Sequence, residues 1–254
     1  AKIVTAIAMF YDLEDPNAFV ADLARVLAPD GLAIIQMSYL PLMLSQNAFD
    51  NICHEHLEYY ALGSLEFLLA RHGLEVFDVE LNDVNGGSFR AYIRHRGART
   101  PRILGGKERL AALRESEAAL VLETSAPYEA FARRVERVRH DLVALLEREV
   151  GAGKQVYVYG ASTKGNTLLQ YFGLDTRLIR AAAERNPQKW GLSTVRTNIP
   201  IISEVEARSE QLSNDVSSTR AEVERLKIEL GQAAQREIEL RRQLAELEVR
   251  AVRA

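Results

Sequence analysis

A ten-residue stretch at positions 51–60, NICHEHLEYY, places a thiol, two imidazoles and two carboxylates ahead of paired tyrosines. A neutral imidazole, with an ordinary pKa of about 6.5, can take up a proton at neutral pH, and an adjacent carboxylate can orient it or raise its basicity. The stretch therefore offers an acid–base centre made of His54, Glu55 and His56. The alternative is a polar helix start without chemistry, and the residues alone leave both interpretations open.

The same stretch could also supply metal ligands from Cys53, His54 and His56. Zinc sites normally draw their ligands from two separated pairs of residues, and no second pair follows here. The other histidines are single residues in helical or strand contexts. We therefore predict no metal site.

Two glycine-containing turns could approach a ligand. The first, NDVNGGSFR at positions 82–90, is richer than a hairpin needs, although an ordinary hairpin turn is the alternative. Its candidate substrate-binding residues are Asn85, Gly86, Gly87, Ser88 and Arg90, which offer close backbone approach, hydrogen bonds and an anion partner.

The second turn, GASTKGN at positions 160–166, lies between a predicted strand and a predicted helix. Backbone N–H groups at a helix start, together with Lys164, could face a phosphate. The spacing matches neither a full dinucleotide-binding fingerprint nor a P-loop, so the signal is weak.

The bulk composition narrows the class of protein. The 254 residues are 47% hydrophobic and carry a net charge of -3, enough for one large or two modest domains, with no charge-based case for a nucleic-acid or membrane partner. No apolar run approaches the roughly 20 residues of a membrane helix. The single Cys53 rules out an internal disulfide and fits a reducing compartment, so we predict a cytoplasmic protein.

The elements around the candidate site follow an α/β order. Residues 2–10 read as a buried parallel strand, residues 15–31 as a helix, and residues 32–40 as a second buried strand. A helix is predicted over 63–73, and alternating apolar residues on both sides of the first turn predict an antiparallel hairpin that closes the sheet.

The second half of the chain starts with helical periodicity over 107–149, predicted as two helices broken near 125–129. A strand, a turn and a helix follow at 154–173, and then a short strand near 179–185. We interpret these as the beginning of a second α/β domain.

The last fifty residues predict a coiled coil, because apolar residues alternate four and three apart while Glu and Arg fill the other positions. The predicted seam is Leu212, Val216, Thr219, Val223, Leu226, Leu230, Ala233, Glu237, Leu240, Leu244, Leu247 and Ala251. A single solvated charged helix is the alternative. A coiled coil here could mediate self-association.

Three motifs in order carry a family resemblance: CHEH at 53–56, GGSFR at 86–90 and KGNTLL at 164–169, followed by ERNPQKWG and NIPII. Over about residues 2–208 the chain resembles the class I S-adenosylmethionine-dependent sugar C-methyltransferases. These enzymes methylate a ring carbon of nucleotide-linked keto-deoxysugars, so the resemblance implies a nucleotide-sugar substrate and S-adenosylmethionine as the methyl donor.

The resemblance also implies roles for residues. His56 would be the base that forms an enolate next to the sugar ketone, with Glu55 and His54 orienting or polarising it. The turn with Gly86, Gly87, Ser88 and Arg90 would lie on the substrate side. The residues Lys164, Gly165 and Asn166 match a loop that helps to close over the nucleotide sugar.

The chain departs from the family pattern at several points. Cys53 stands where many members have a reactive tyrosine, positions 10–12 lack a histidine that many members carry, and Arg196 replaces a usual glycine. The segments that hold the donor in the family would precede Ala1. We therefore expect a fragment with little or no S-adenosylmethionine binding, and the cofactor-binding residues are unknown.

The predicted fold class is α/β, with a partial Rossmann-like class I methyltransferase sheet, a second partial α/β domain and a coiled-coil helix. The predicted boundaries are 1–100 for the methyltransferase half, 101–150 for a helical linker, 151–203 for the truncated C-terminal domain and 204–254 for the coiled coil. Two other functions stay open. One is a non-catalytic interaction protein that works through its coiled coil. The weaker one is a dinucleotide-binding oxidoreductase, suggested by the strand–turn–helix at 157–166, which lacks the three-glycine spacing and has only Glu184 as a poor candidate for the ribose-binding acid.

Overall fold

The computed structural model describes residues 1–99 and 105–253; the side chains of Asn85, Gln211 and most residues beyond 230 lie outside the described set. The chain packs as two compact units. The first contains Ala1–Val156, Ser162–Leu178 and Val195–Asn198, and the second contains Tyr157–Ala161, Ile179–Thr194 and the chain from Ile199 onward. The four domain boundaries given above stay a prediction.

The first unit is built on a four-stranded mixed sheet. Its strands are β1 (Ile3–Ile7), β2 (Leu32–Ser38), β3 (Leu74–Asn82) and β4 (Ser88–His95), in the order β1-β2-β4-β3. The strands β1 and β2 are parallel, whereas β4 runs antiparallel to both of its neighbours. The predicted hairpin that closes the sheet is thus confirmed.

The prediction that residues 2–10 form a buried strand is wrong in one respect. The strand β1 is parallel to β2 as expected, but Ala6 is its one buried residue, while Ile3 and Ile7 are 64% and 49% exposed. The physical reason is position: β1 forms an edge of the described sheet, so it has one neighbouring strand instead of two.

Three helices of the first unit lie between its strands along the chain. The helix α1 (Pro16–Val26) begins at Asp15, whose side chain accepts a hydrogen bond from the Ala18 amide, and it buries Val20 and Leu23. It is followed by α2 (Leu40–Ser45) and α3 (Leu62–Ala70). The shared core is made by Phe10, Ile35, Met37, Leu62, Leu65, Leu69, Phe89 and Ile93, all at most 1% exposed.

Three more helices complete the unit: α4 (Gly106–Leu120), α5 (Ala126–Gly151) and α6 (Thr163–Phe172). The predicted break near 125–129 is confirmed. The helix α4 is fixed by Arg109, whose Nη2 lies 2.6 Å from Oδ2 of the fully buried Asp78. A buried carboxylate needs such a partner, so this ion pair ties α4 to β3.

The carboxylate of Glu117 on α4 holds the start of α3. It accepts hydrogen bonds from the Leu62 amide (2.5 Å), the Gly63 amide (3.0 Å) and the Tyr39 hydroxyl (2.6 Å). Because the first amides of a helix have no partner within the helix, an external carboxylate stabilises this end. These hydrogen bonds fix where α3 begins and therefore where the preceding loop, residues 51–60, ends.

The second unit holds a small parallel sheet of β5 (Tyr157–Tyr159), β6 (Ala181–Glu184) and β7 (Ile201–Ser203) in that order. The Ser203 hydroxyl accepts a hydrogen bond from the Glu206 amide and begins α7 (Glu204–Arg253), a single 50-residue helix. The α/β fold class is therefore confirmed, while pairing of α7 into a coiled coil stays a prediction. No helix in the described part of the chain is long and apolar enough to cross a membrane.

Candidate active site

The stretch 51–60 forms a loop beside the end of β1. Immediately after that strand comes a short turn, Phe10–Asp12, and the Tyr11 carbonyl accepts hydrogen bonds from the amides of Leu57 (2.9 Å) and Glu58 (3.1 Å). The helix α3 begins only at Leu62, so the interpretation of this stretch as a helix start is wrong. The carboxyl ends of parallel strands are the usual place for sites in α/β folds.

The His56 ring packs against the Tyr11 ring, with 4.5 Å between centroids and an interplanar angle of 58°. The His56 side chain is partly exposed, and its ring makes no hydrogen bond to any described residue. This imidazole therefore keeps its nitrogens available and is supported from one side by an aromatic ring.

The Asp12 carboxylate belongs to the same cluster. Burial raises the pKa of Asp12, and the charge of Glu55 adds to the rise, whereas the charge of His56 opposes it. Burial also raises the pKa of the Tyr11 phenol, with smaller contributions from Asp12 and Cys53. Five titratable groups thus lie within electrostatic reach of one another, as is common where proton transfer takes place.

The first turn of α6 contacts this loop. Lys164 Nζ donates a 2.5 Å hydrogen bond to Asn51 Oδ1 and lies 4.0 Å from Asp50 Oδ2. The Thr163 hydroxyl donates to Glu55 Oε1 at 3.3 Å. Folding therefore brings the first turn of α6 to the loop, with Thr163 at the His-Glu-His segment and Lys164 just before it. His54 and Glu55 are exposed there.

The glycines of the hairpin turn are required by packing. Gly86 and Gly87 have positive φ values of +79° and +109°. A Cβ on Gly87 would lie 2.6 Å from the Leu42 side chain, and one on Gly86 would touch Ala48 and approach the Asn51 amide. Contact with Leu42 excludes a side chain at Gly87, and the positive φ values favour glycine at both positions.

Two other residues of the turn use their polar groups in hydrogen bonds within the fold. The buried Ser88 hydroxyl donates to the Val84 carbonyl at 2.8 Å and fixes the turn. Arg90 donates to Gln36 Oε1 from Nε (2.9 Å) and Nη2 (2.7 Å), and its Nη1 lies 3.4 Å from Glu80 Oε2. Its described partners are therefore on β2 and β3 and not on the 51–60 loop. The Asn85 side chain lies outside the described residues.

Two amides at the start of α6 are used within the fold, and whether the other amides of the turn 160–166 face a phosphate stays a prediction. The Gly165 amide donates to Ser162 Oγ at 3.0 Å, and the Asn166 amide donates to the Ser162 carbonyl at 3.0 Å. Ser162 is the N-cap of α6 and satisfies its own helix. The Asn166 carboxamide differs: its Nδ2 bonds Ser162, whereas its buried Oδ1 has no partner among the described atoms.

Asn51 is a site residue that the sequence did not single out. Asn51 is 1% exposed. Its Oδ1 accepts the hydrogen bond from Lys164, and its backbone carbonyl accepts one from the Tyr59 hydroxyl at 3.3 Å. Tyr11 and Thr163 were missed as well. The signal for Asn51 was its place at the head of the quoted stretch, but its partner lies 113 residues away along the chain.

The structure argues against the ribose-binding role for Glu184. Its carboxylate accepts hydrogen bonds from the amides of Ala161 (2.8 Å), Arg185 (2.9 Å) and Asn186 (3.0 Å), and Lys189 lies 3.7 Å away. These amides, Asn186 foremost, hold the pKa of Glu184 below its usual range. A carboxylate that already accepts three backbone amides serves the fold and is a poor partner for a ribose, which argues against the dinucleotide-binding interpretation.

No group of three or more histidine, cysteine, aspartate or glutamate residues could hold a metal ion within the described ranges 1–99 and 105–253. The first unit therefore has a mixed sheet with titratable side chains beside the end of a parallel strand. This arrangement is typical of α/β enzymes.

Comparison with known proteins makes the class specific. A model of the C-methyltransferase C-terminal domain matches residues 83–215, just over half of the chain, and a methyltransferase domain model matches residues 1–79. The chain therefore belongs to the C-methyltransferase C-terminal domain family. This confirms the resemblance stated above, and S-adenosylmethionine is the methyl donor of this class of enzyme.

A similar curated protein is the C-methyltransferase NovU of Streptomyces niveus, 36% identical over 207 residues. The match covers 82% of this chain and 48% of NovU, so the chain spans about half the length of that relative.

Two solved structures overlap the chain in part. One is the complex of the Haloferax volcanii Trm112 methyltransferase activator with a methyltransferase, at a TM-score of 0.33 and 14% identity, covering 39% of this chain and 55% of that one. The other is the N-methyltransferase NodS of Bradyrhizobium japonicum WM9, at 0.28 and 13%, covering 37% and 51%. Overlaps of this extent carry no argument about function.

Proposed function

We propose that this chain contains the proton-abstracting and substrate-binding part of an S-adenosylmethionine-dependent C-methyltransferase that acts on a nucleotide-linked keto-deoxysugar. Membership of the C-methyltransferase family supports the reaction class. The observation that carries the proposal is the His56 ring, which is partly exposed beside the end of β1 and is supported by Tyr11 next to Asp12.

His56 acts as the general base. A carbon next to a ketone is acidic enough for an imidazole to remove its proton, so the C–H bond breaks, the proton goes to an imidazole nitrogen and the electron pair forms an enolate. The carboxylates of Asp12 and Glu55 stabilise the imidazolium that results. The available ring nitrogens suit this step, because a base already bonded within the fold would have to break a bond first.

Tyr11 supplies the phenol that many family members carry at the position of Cys53. Its ring lies against His56, and burial keeps its hydroxyl in the protonated form at neutral pH. A protonated phenol is a hydrogen-bond donor, which is what a developing enolate oxygen needs. This places the proton acceptor and a proton donor in contact with each other.

The methyl donor, when bound, supplies an electrophilic sulfonium methyl group to the enolate carbon. A donor site could lie in the connection between β5 and α6, which is a strand–glycine–helix turn. Two of its amides form hydrogen bonds within the fold: Gly160 donates to the Ala183 carbonyl and Gly165 donates to Ser162 Oγ. These two amides are therefore not free to bind the donor. We therefore assign proton removal, and not donor binding, to the described residues.

Lys164 and Asn166 bind the substrate's phosphate-bearing part. Lys164 is 32% exposed, and Asn51 takes one of the three donors of its ammonium group, so donors remain for a phosphate oxygen. On the same helix, the buried and unpartnered Oδ1 of Asn166 can only accept, so it would take a hydroxyl or N–H group of the substrate and not a phosphate oxygen. Gly86 and Gly87 bring the turn close to this loop, whereas for Ser88 and Arg90 the contacts favour holding the hairpin, and a substrate contact stays a prediction.

The test is methyl transfer by the full-length product of this gene, offered labelled S-adenosylmethionine and a panel of keto-deoxysugar nucleotides. We expect label on a ring carbon next to the ketone, located by NMR. A second measurement, without donor, follows deuterium exchange at that carbon. Label on oxygen or nitrogen, or no transfer and no exchange with any sugar, would overturn the proposal.

A second candidate function is non-catalytic interaction through α7, with self-association and a cytoplasmic location. The observation that favours it is the exposure of apolar residues on this helix, including Leu212, Val216 and Leu230 at 66%, 64% and 73%. If deuterium exchange is absent while the chain associates, this second function is the one supported.

A further inference from the structure

One face of α7 carries an apolar stripe, here called the α7 seam. Its described members are Leu212, Val216, Thr219, Val223, Leu226 and Leu230. The five aliphatic side chains are 44% to 73% exposed, and the Thr219 hydroxyl is satisfied by the Asp215 carbonyl of its own helix. A stripe that repeats every three and four residues on a charged helix is the pattern of a paired helix.

We infer that the α7 seam is the interface of a parallel, in-register two-stranded coiled coil formed with a second copy of this chain. This inference deepens the self-association proposed above and is independent of the methyl-transfer reaction. Two separate features of the seam support it: the charges beside it and the shapes of the residues within it.

The charges beside the seam are sorted by sign. The heptad position before each a residue, position g, holds Asp215, Glu222 and Glu229, while the position after each d residue, position e, holds Arg220 and Lys227. In a parallel pair, g of one helix faces e of the other, five residues later.

The sorted charges select one orientation. A parallel in-register pair sets Asp215 against Arg220 of the second copy, and Glu222 against Lys227 of the second copy. An antiparallel pair sets g against g and e against e, which brings acid to acid and base to base. Because flanking charges decide orientation in coiled coils, the parallel arrangement is favoured.

The residues within the seam select the same arrangement. Val216 and Val223 occupy a positions and Leu212 and Leu226 occupy d positions, while Leu230 at a and Thr219 at d depart from this pattern. A β-branched residue at a with leucine at d favours two parallel strands over three or four. The charge pairs that favour this arrangement lie within residues 212–230.

The charged side chains can leave their partners within α7 and pair with a second copy at little cost in stability. Within the helix, Arg225 lies 3.8 Å from both Glu222 and Glu229, and Lys227 lies 2.8 Å from Glu224. These side chains are all more than 60% exposed, and ion pairs of this kind contribute little to stability.

The experiment uses two charge-reversed forms of the full chain. The first carries Asp215→Lys, Glu222→Lys and Glu229→Lys, and the second carries Arg220→Glu and Lys227→Glu. Sedimentation should show the wild type as a dimer and each form alone as associating roughly tenfold or more weakly, because like charges then meet across the seam. An equimolar mixture should restore a dimer of one copy of each.

The control and the orientation test complete the design. Glu224→Lys reverses a charge on the outer face and should leave the dimer intact. In a Cys53→Ser background, Leu226→Cys should form a disulfide between two copies, because equal positions meet only in a parallel in-register pair. A monomeric wild type, a mixture that does not associate, or absence of that disulfide would overturn the inference, whatever the result for methyl transfer.

Discussion

Two loops rich in polar residues, the one after β6 and the one at 51–60, differ in whether their polar side chains already have hydrogen-bond partners. In the loop after β6, Glu184 accepts three backbone amides, Lys189 Nζ donates to the Ala161 carbonyl at 2.8 Å, and Trp190 Nε1 donates to the Glu184 carbonyl at 2.7 Å. In the loop 51–60, the His56 ring has no hydrogen-bond partner among the described residues.

The difference teaches which polar loop can do chemistry. A buried or half-buried polar group gains stability by finding a partner, so most are satisfied within the fold. A group that keeps its capacity open gives up that gain and is available to a ligand. The polar groups of the loop after β6 hold that loop together, whereas the loop 51–60 leaves the His56 ring open to a ligand.

The largest effect is expected from His56→Ala in the full-length gene product. Loss of a general base lowers the turnover rate by about 10²- to 10⁴-fold, while the affinity for S-adenosylmethionine stays near that of the wild type. Turnover and isothermal titration measure the two quantities. A companion variant, His54→Ala, tests the orienting role implied by the resemblance and should lower turnover less, because its ring is exposed. Equal turnover in the His56 variant removes that residue from the mechanism.

The next effect concerns Lys164→Met, which keeps the length of the side chain and removes its charge. A hydrogen bond to a charged group contributes about 1.5–3 kcal/mol, so KM for the nucleotide sugar should rise roughly 10- to 100-fold with a smaller change in kcat. Steady-state kinetics separate the two. Lys164→Arg should recover part of the loss, and a KM that does not move would place Lys164 outside the substrate site.

The same comparison predicts the opposite behaviour for Glu184→Gln. Its amide nitrogen cannot accept a hydrogen bond from a backbone amide, so stability should fall by about 1–3 kcal/mol, with kcat per folded molecule unchanged. Urea unfolding and active-site-normalised turnover measure these. A loss of kcat at full stability would show that the loop is not merely structural.

The pH dependence of Glu184 gives that prediction a second measurement. The pKa of this carboxyl is lowered by folding from its ordinary value of 4.5, so its stabilisation is complete above that value and is lost as the pH falls through the folded pKa. Thermal unfolding from neutral pH down to acid should show a smaller decline for Glu184→Gln than for the wild type. Parallel declines would contradict this assignment.

The smallest effect is expected for Tyr11→Phe, which keeps the ring against His56 and removes the hydroxyl. Loss of one hydrogen bond to a developing charge should lower kcat by roughly tenfold and leave KM and thermal stability nearly unchanged. Deuterium exchange at the sugar carbon should slow in proportion. Unchanged exchange would reduce Tyr11 to a packing partner of His56.

The sequence predicted the elements well where the signal is local. The Asp15-Pro16 helix start, the Gly86-Gly87 hairpin turn and the break before α5 depend on residues that are close in the chain, and the structure contains each of them. Local chemistry of capping and positive φ decides such features.

The sequence predicted less where partners are distant. The exposure of β1 depends on which strands neighbour it, and the contact of Lys164 with Asn51 joins residues 113 positions apart. For Glu184 the partners are backbone amides, which every sequence contains and no motif reveals. Residue types indicated where chemistry could occur, whereas the folded contacts show which groups remain open.

The routing of the chain between its two compact units has a practical consequence. The chain passes from one to the other after Val156, Ala161, Leu178, Thr194 and Asn198. No single cut separates the two units, because β5 of the second unit precedes α6 of the first along the chain, and a cut after Asn198 leaves the first unit joined to β5 and β6 of the second. Expression of either unit alone therefore needs a rearranged sequence, so the two are best engineered as one block.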